Sequence, residues 1–308
     1  MKYAKEFDVN GALGLGFDFQ FYALTLKLYK KTKRAQLLPI NWFIEKSIEH
    51  ITRRLTSRRG LSFPKRAIGG WWWTSRWRFE FLMGWLELPS VVHTKRLVRD
   101  GMIAIDVGAH VGYYSSLLSK LVGPRGKVYA FEACPENYQA LISNLGVINA
   151  NNTVAINKAI SDRTGKVELL LSAGHSTHSF YSYKETVGRC EVETTTLDAF
   201  VEQQGLPKVN FIKIDIEGAE PLALAGMTRT IERSDDLTML IELNPEALRA
   251  GGSSSSALLR QLSDFGFDVK AIPNELVATS ELQEVDLKTI SEKSVLNLLC
   301  QKTRTQGR

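Results

Sequence analysis

Short hydrophobic runs alternate with amphipathic segments along the chain from about residue 100 onward. The runs typical of buried strands are Met102–Val107, Lys127–Glu132, Thr153–Ile156, Asn210–Asp215 and Leu237–Leu243. Helices are predicted after Gly112, after Pro135, whose proline suits a first helical turn, and after Glu217. Strands that alternate with helices through short connections predict a parallel α/β sheet covered on both faces.

Two additional β-like runs, Val167–Leu171 and Cys190–Thr195, stand between the third and fourth of these strands. They flank a polar stretch around His175 and His178. We interpret this stretch as an inserted flap on the substrate side of a site at the sheet edge.

Near the end of the sequence, Phe267–Ile272 and Ser294–Cys300 read as two more strands. The connection between them has no clear helical pattern, so the two strands should pair antiparallel. The prediction is a Rossmann-like, seven-stranded α/β sheet with a terminal antiparallel strand pair. This arrangement resembles the class I methyltransferase fold more than a dehydrogenase.

The front of the chain differs from the rest in charge and pattern. Residues 1–100 carry 19 Lys and Arg against 8 Asp and Glu, whereas the remainder carries 20 against 25. We therefore divide the chain into a basic, mainly helical N-terminal segment, residues 1–77, and an α/β domain, residues 78–308. A basic surface of this kind suits phosphates, an anionic membrane or nucleic acid.

Two stretches of the N-terminal segment have two interpretations each. The apolar stretch 12–28 carries Asp18 and Gln20 near its middle and lacks the early basic region and small-residue cleavage site of a signal peptide, so we expect neither a signal peptide nor a membrane span. It predicts a helix that packs on the protein or lies on a membrane surface. The tryptophan run 71–77 either packs the segment onto the domain or forms an aromatic and basic binding surface.

The cysteines argue for a reducing compartment. Cys134, Cys190 and Cys300 are far apart and odd in number, which fits neither a disulfide framework nor a zinc spacing. We therefore expect a cytoplasmic protein.

Residues 105–112 read I-D-V-G-A-H-V-G and contain the first candidate site. Gly108 and Gly112 have no side chains at the points where the backbone turns. A ligand can therefore lie against the loop that contains Ala109 and against the N-terminus of the helix that follows. The spacing lacks the middle glycine of the dinucleotide motif. Asp106 before the loop suits a cationic ligand, such as the amino group of S-adenosylmethionine, better than a pyrophosphate.

Two further positions fit an adenosine cofactor. Glu132 ends the second strand, where a carboxylate can accept both hydrogen bonds of a ribose diol. Ser161 and Asp162 follow the third strand and are placed to reach the adenine edge. Asp162 has the alternative of capping the turn S-D-R-T-G.

Residues 212–220 read I-K-I-D-I-E-G-A-E and contain the second candidate site. Alternation along the strand sends Lys213 and Asp215 to one face, and the turn that follows brings Glu217 nearby. For Asp215 and Glu217 the alternative role is to cap the next helix. For Lys213 it is a structural ion pair. Glu242 is another carboxylate at the same sheet edge.

This site also contains rival bases and possible ligands for a metal. His110, His175 and His178 are candidate bases, although each also fits an ordinary surface or hydrogen-bonded histidine. Asp215, Glu217 and Glu242 could supply oxygen ligands to magnesium, but nothing in their spacing requires a metal.

Several motifs in order resemble the FkbM-type S-adenosylmethionine-dependent methyltransferases. They are I-D-V-G-A-H-V-G-Y-Y, V-Y-A-F-E-A-x-P-E-N, N-K-A-I-S-D-x-x-G, T-T-T-L-D and F-I-K-I-D-I-E-G-A-E. The resemblance as a whole covers roughly residues 78–300. The sequence departs from the family at His110, where asparagine is more common, and at Ala133 and Cys134, where a proline often follows the glutamate.

The resemblance implies S-adenosylmethionine-dependent O-methylation of a hydroxyl on a sugar, a polyketide or another secondary metabolite. It implies that the cofactor is held by Asp106, Gly108, Gly112, Glu132 and Asp162. It also implies that the mouth where acceptor and methyl meet is lined by Lys213, Asp215, Glu217 and Glu220.

Three functional hypotheses follow from the sequence. The first is methylation of a small-molecule or glycan hydroxyl. The second, a nucleic-acid methyltransferase, draws on the basic front, but D-P-P-Y and N-P-P-Y motifs are absent and Cys134-Pro135 reverses the Pro-Cys pair of cytosine enzymes. The third is a non-catalytic homologue at a membrane.

Overall fold

The computed structural model describes residues 50, 86–172, 177–272, 281–286 and 295–302. Apart from residue 50, the predicted N-terminal segment lies outside the described residues, together with its helix 12–28 and its tryptophan run. The same holds for His175. The domain boundary at residue 78 therefore stays a prediction.

An eight-stranded sheet forms the centre of the molecule. In spatial order its strands are β10 (Gln283–Glu284), β9 (Phe267–Ile272), β11 (Leu296–Lys302), β8 (Thr238–Leu243), β7 (Phe211–Ile214), β1 (Ile103–Val107), β2 (Lys127–Phe131) and β3 (Thr153–Ile156). The strands from β8 to β3 pair in parallel, whereas β11 runs antiparallel to both of its neighbours. The predicted antiparallel pair is thus confirmed.

The sheet has one strand more than the sequence predicts. The extra strand, β10, pairs with β9 at the sheet edge and contains two exposed residues. Its length and polarity explain why no hydrophobic run marks it. The strand order is nevertheless that of a class I methyltransferase fold, as expected.

Helices cover both faces of this sheet. They are α1 (Leu88–Leu97), α2 (Tyr113–Val122), α3 (Pro135–Val147), α4 (Leu197–Gln203), α5 (Glu220–Ala225), α6 (Thr228–Glu232), α7 (Pro245–Ala250) and α8 (Ser255–Asp264). Alternation along the strands separates two cores: Ile105 and Ile212 pack toward α4, α5 and α8, whereas Ala104 and Leu240 pack toward α1 and α2. Each fully buried aliphatic side chain of this kind stabilises the fold by about 1.5–3 kcal/mol.

The insertion between β3 and β7 is a second, three-stranded sheet. It consists of β4 (Ala159–Ile160), β6 (Thr186–Thr195) and β5 (Gly165–Ser172), with β5 and β6 antiparallel. We call residues 177–186, which precede and enter β6, the flap. No helix within the described ranges is both long enough and apolar enough to cross a membrane.

Candidate active site

Two adjoining cavities lie at the carboxyl ends of the parallel strands. The β2 cavity is lined by Phe131, Glu132, Ile160, His178 and Phe180, among others. The β7 cavity is lined by Glu87, Asp106, Tyr113, Tyr114, Lys213 and Glu242, among others. The residues common to both are Gly108, His110, Asp215 and Glu217. Gly108 and His110 of the first motif therefore meet Asp215 and Glu217 of the second where the two cavities adjoin.

Backbone strain is concentrated at this place. Four non-glycine residues in the described part of the chain have positive φ, and three of them, Glu87, His110 and Glu217, line the β7 cavity. Such residues cost of order 1–3 kcal/mol each and cluster at functional sites. His110 occupies its left-handed position at φ 51. Histidine, like asparagine, adopts the left-handed conformation more readily than most residues. This explains how His110 can stand where asparagine is more common in FkbM-type sequences.

Gly108 is required by packing as well as by its dihedral angle. Its φ is 85, and a Cβ added there would overlap the backbone carbonyl oxygen of Asp215. At Gly112, with φ 94, a Cβ would come within 2.8 Å of Leu141. The two glycines therefore let the loop pack against β7 and α3, whereas the sequence suggested that they make room for a ligand.

We expect Gly108→Ala to destabilise the protein more than Gly101→Ala. Gly101 has a similar φ of 84, but a Cβ there meets no atom within 4 Å, so alanine costs only the left-handed strain of about 1–2 kcal/mol. At Gly108 the overlap adds an overpacking cost of about 1–3 kcal/mol. Urea unfolding of both variants measures the difference, and equal losses would contradict the packing argument.

Glu132 is fixed by the loops around it. One carboxylate oxygen accepts the backbone N–H of His110 at 2.7 Å, and the other accepts that of Cys134 at 2.8 Å. Burial raises the pKa of Glu132 to about 7, against the opposing effect of these two N–H groups. A hydrogen bond from the Asn137 side chain adds to these two and also opposes the rise in pKa, so the carboxylate faces the β2 cavity in a single orientation.

Asp106 contains a buried oxygen that lacks a partner. Ser115 Oγ donates to Asp106 Oδ2 at 2.6 Å, but no described residue donates a hydrogen bond to Oδ1, although Asp106 is only 1% exposed. Burial raises the pKa of this carboxyl, while the Lys213 ammonium opposes the shift. A buried acceptor without a donor is costly, so Oδ1 is suited to a donor from a cationic ligand in the β7 cavity.

Lys213 is a buried cation among carboxylates. Its side chain is 4% exposed, and Nζ lies 2.8 Å from Asp215 Oδ2 and 4.7 Å from the centre of the Tyr114 ring. Burial alone would lower the pKa of Lys213, but the carboxylates of Asp215, Glu87 and Asp106 raise it on balance. A lysine that stays protonated cannot act as a base, so the structure favours the ion pair over proton transfer.

Glu217 has one carboxylate oxygen held and one open to the cavities. Tyr183 Oη donates to Glu217 Oε2 at 2.5 Å, and Asn244 Nδ2 donates to the same oxygen at 2.9 Å. Burial and the neighbouring Asp215 raise the pKa of Glu217 to about 8. A carboxylate with a pKa near neutral pH is suited to general-base chemistry.

Neither Asp215 nor Glu217 caps the following helix. The N-cap of α5 is Ala219, with no side-chain hydrogen bond. Glu220 instead accepts the backbone N–H groups of Ile216 and Gly218 and is buried within the turn. It stabilises this turn and does not line either cavity, although the resemblance implied that it would.

Glu242 completes an acidic group with Asp215 and Glu217. One carboxylate oxygen from each lies within 4.8 Å of the others. Burial raises the pKa of Glu242 well above its ordinary value, and the charges of Asp215 and Glu217 add to the shift. Protonation relieves this repulsion without a cation, and an acidic cluster alone is no metal site, so we assign no metal here.

Of the rival histidines, His178 is poorly suited to be a base. Burial lowers its pKa to about 4, and its Nδ1 accepts the backbone N–H of Ser172 at 3.2 Å. It lines the β2 cavity as a neutral ring. His110 touches both cavities.

Ser161 and Asp162 follow β4 and do not line either cavity. Ser161 Oγ donates to Asp162 Oδ1 at 3.1 Å, and Asp162 lies 3.6 Å from the Arg163 guanidinium. Their contact with adenine stays a prediction.

Sequence reasoning missed three residues of the site: Glu87, Tyr183 and Asn244. Glu87 precedes α1, accepts from Tyr114 Oη and Asn297 Nδ2, and lines the β7 cavity. Glu87 and Tyr183 stand in no motif, so the sequence holds no signal for them. Asn244-Pro245 after a strand is a helix-start signal, and Asn244 does cap α7, but its second bond to Glu217 is visible only in three dimensions.

Comparison with known proteins places these residues in a known context. A family model described as the methyltransferase FkbM domain matches residues 106–269, more than half of the chain. The matched residues include the first motif from Asp106 onward, the flap and the second motif.

Two curated relatives match parts of the chain. The hexuronic acid methyltransferase AglP of Haloferax volcanii is 30% identical over 159 residues, which are 51% of this chain and 62% of AglP. The 2-O-methyltransferase NoeI of Sinorhizobium fredii is 25% identical over 185 residues, 55% of this chain and 74% of NoeI. The chain thus spans less than two thirds of the length of AglP.

Among solved structures, a SAM-dependent methyltransferase of Aquifex aeolicus aligns over 71% of this chain and 92% of its own, at 16% identity and a TM-score of 0.41. At that TM-score the likeness adds nothing to the fold given by the strand order.

Proposed function

The chain belongs to the FkbM methyltransferase family, and from this membership we propose that it is an S-adenosylmethionine-dependent O-methyltransferase. Its acceptor is a hydroxyl of a sugar, a glycan or a secondary metabolite. The observation that carries the proposal is the buried Asp106 Oδ1, which has no hydrogen-bond donor among the described residues and lies in a cavity that Glu217 also lines.

The residues present fit S-adenosylmethionine. Asp106 would hold its amino group, Glu132 its ribose diol, and the backbone of Gly108 and Ala109 would lie against it, with Gly112 shaping the loop. Ser161 and Asp162 are proposed for the adenine edge. When bound, the cofactor supplies an electrophilic methyl group whose C–S bond breaks as the acceptor oxygen forms its new bond, and sulfur keeps the electron pair.

The protein's own contribution is to hold the acceptor and remove its proton. Glu217 Oε1 takes the proton of the acceptor hydroxyl, because it is the open oxygen of a carboxylate with a pKa of about 8. Lys213 holds Asp215 in place through their ion pair. Orientation of the two reacting atoms supplies much of the acceleration, up to about 7–11 kcal/mol in favourable cases.

A sugar hydroxyl is supported by the relatives, since AglP is named for a hexuronic acid and NoeI for 2-O-methylation. The charge of the β7 cavity argues against a nucleic-acid acceptor. Five carboxyl groups, those of Glu87, Asp106, Asp215, Glu217 and Glu242, line it with a single lysine, so the cavity lacks the cluster of positive charges that complements phosphates.

We also propose a cytoplasmic location, supported by the three free cysteines, of which Cys134 and Cys300 are buried. Peripheral contact with the inner face of a membrane through the basic N-terminal segment is a further proposal. Cell fractionation of the full chain, with a truncation lacking residues 1–77 as the control, tests both.

Titration calorimetry with S-adenosylmethionine tests the cofactor assignment. We expect wild type to bind, and Asp106→Asn to bind about 10- to 100-fold more weakly, because a hydrogen bond between charged groups is lost. Asp100→Asn, at an exposed carboxylate paired with Arg125, serves as the matched control and should bind like wild type. A wild-type protein that does not bind the cofactor would overturn the proposal.

The reaction itself is tested with methyl-labelled S-adenosylmethionine and a panel of glycosides and cell extracts, followed by identification of the labelled product. We expect label in an ether linkage, and equal label in the presence of EDTA because protonation can relieve the repulsion among Asp215, Glu217 and Glu242 without a cation. Loss of labelling in EDTA, restored by magnesium, would instead assign a cation to Asp215, Glu217 and Glu242.

A further inference from the structure

The flap is attached to the turn that carries Glu217. Ser179 Oγ donates to the backbone carbonyl oxygen of Glu217 at 2.6 Å, and Ser179 is also bridged through its backbone to Leu170 of β5. At the far side, Lys184 Nζ lies 3.0 Å from Glu246 Oε2 in α7. The flap therefore spans the site from the small sheet to the end of β8.

Tyr183 reaches from this flap into the site. Its hydroxyl lies 2.5 Å from Glu217 Oε2, and Asn244 Nδ2 supplies the second donor to the same oxygen. Burial and the Glu217 carboxylate raise the pKa of Tyr183, so the phenol remains a donor. Both donors thus act on one oxygen only.

The other oxygen of Glu217 has no hydrogen bond to any residue that the structure describes. Glu217 lines both cavities, so its Oε1 is the oxygen that a ligand hydroxyl can reach. A carboxylate held at one oxygen by two donors from different elements, the flap and the end of β8, keeps its second oxygen in a fixed direction. Glu217 itself stands at the strained φ of 52, which such contacts must stabilise.

We propose that Tyr183 is a positioning residue for methyl transfer: through Glu217 Oε2 it directs Glu217 Oε1 at the acceptor hydroxyl. This inference rests on the proposed function and adds a role for the flap, which no motif assigns. Without the phenol, Asn244 alone holds the carboxylate, and the proton acceptor leaves its productive position more often. A misplacement of about 1 Å is enough to cost about 100-fold in rate.

The groups around Glu217 set its pKa, and this pKa sets the pH dependence of the rate. Asp215 and Glu220 act from its own segment and raise its pKa, whereas Glu242 of β8 has its own pKa raised by Asp215 and Glu217. Tyr183 and Asn244 are the hydrogen-bond donors that lower the pKa of Glu217. Removal of the Tyr183 hydroxyl should therefore raise that pKa, by about one unit for a donor to a charged group.

The test is Tyr183→Phe with Tyr181→Phe as the matched control. Tyr181 lies on the same flap with its ring against Gly251, and its hydroxyl makes no contact with Glu217. Labelled S-adenosylmethionine and neutral hexose glycosides are the probes. We expect Tyr183→Phe to lower kcat about 10- to 100-fold, to leave cofactor affinity within twofold, and to move the pH–rate profile to higher pH. Tyr181→Phe should match wild type.

The outcomes separate this inference from the proposed function. If wild type methylates a probe and Tyr183→Phe shows the same kcat and pH profile, the positioning role is wrong. It is also wrong if Tyr183→Phe loses cofactor binding or its thermal transition in step with activity, since the phenol would then only support the fold. If wild type methylates no glycoside or extract component, the proposed function itself fails.

Discussion

Glu217→Gln is expected to lower kcat by about 10²- to 10⁴-fold while cofactor binding stays near the wild-type value. The amide keeps the size of the side chain and can still accept from Tyr183 and Asn244 through its oxygen, but it cannot take a proton. General-base help contributes rate factors of this size. Stopped assays with labelled cofactor measure kcat, and calorimetry measures the cofactor Kd.

The same role of Glu217 predicts the direction in which kcat changes with pH. Because the pKa of Glu217 is raised to about 8, mainly by burial, only about a tenth of it is ionised at pH 7. Wild-type kcat should therefore rise about tenfold per pH unit below pH 8 and level off above about pH 9. The Gln variant should lose this limb.

A suitable control is Glu202→Gln, an exposed carboxylate on α4 that is paired with Arg229. It should behave as wild type in both measurements. If Glu217→Gln keeps the wild-type kcat and pH profile, the base is another group, and Asp215 is the next carboxylate common to both cavities.

The fold was largely predictable because buried parallel strands appear in the sequence as uninterrupted apolar runs. Thr153–Ile156 and Phe267–Ile272 agree with the structure residue for residue, the other parallel strands differ at their ends by one residue, and the strand predicted at Ser294–Cys300 is shifted by two, to Leu296–Lys302. The strands of the small sheet are longer than predicted, because β5 and β6 alternate exposed polar residues with buried ones. Such ends have no hydrophobic signal.

The sequence could predict the site residues that stand at the ends of parallel strands. It could not predict those that reach the site only through contacts between distant parts of the chain. Asp106, Lys213 and Asp215 stand at or just beyond the carboxyl ends of adjacent strands, and parallel pairing sets Asp106 opposite Lys213. By contrast, Glu87 is bonded to Asn297, 210 residues away. A pattern along the chain cannot reveal a contact of that kind.

The cluster around Lys213 shows why the second sequence motif combines one lysine with several acids. Four carboxylates, from Glu87, Asp106, Asp215 and Glu242, act on one buried ammonium. Removing them from water is costly, and the ammonium offsets part of that cost. Lys213 therefore stabilises the acidic cavity in which the carboxylates carry out their chemistry.

We accordingly expect Lys213→Met to destabilise the protein by about 3–5 kcal/mol at pH 8, the cost of leaving buried charge without its partner. Methionine has a similar length and no charge, so the loss of packing is small. The sign of the pH dependence identifies the cause: toward pH 5 the carboxylates bind protons, their repulsion falls, and the difference from wild type should shrink. Urea unfolding at pH 8 and pH 5 measures the difference in stability.

Lys166→Met, which removes an exposed ion pair with Glu191, should leave the unfolding midpoint unchanged at both pH values. A Lys213→Met loss that is the same at pH 5 and pH 8 would mean that shape, and not charge, is what this lysine contributes.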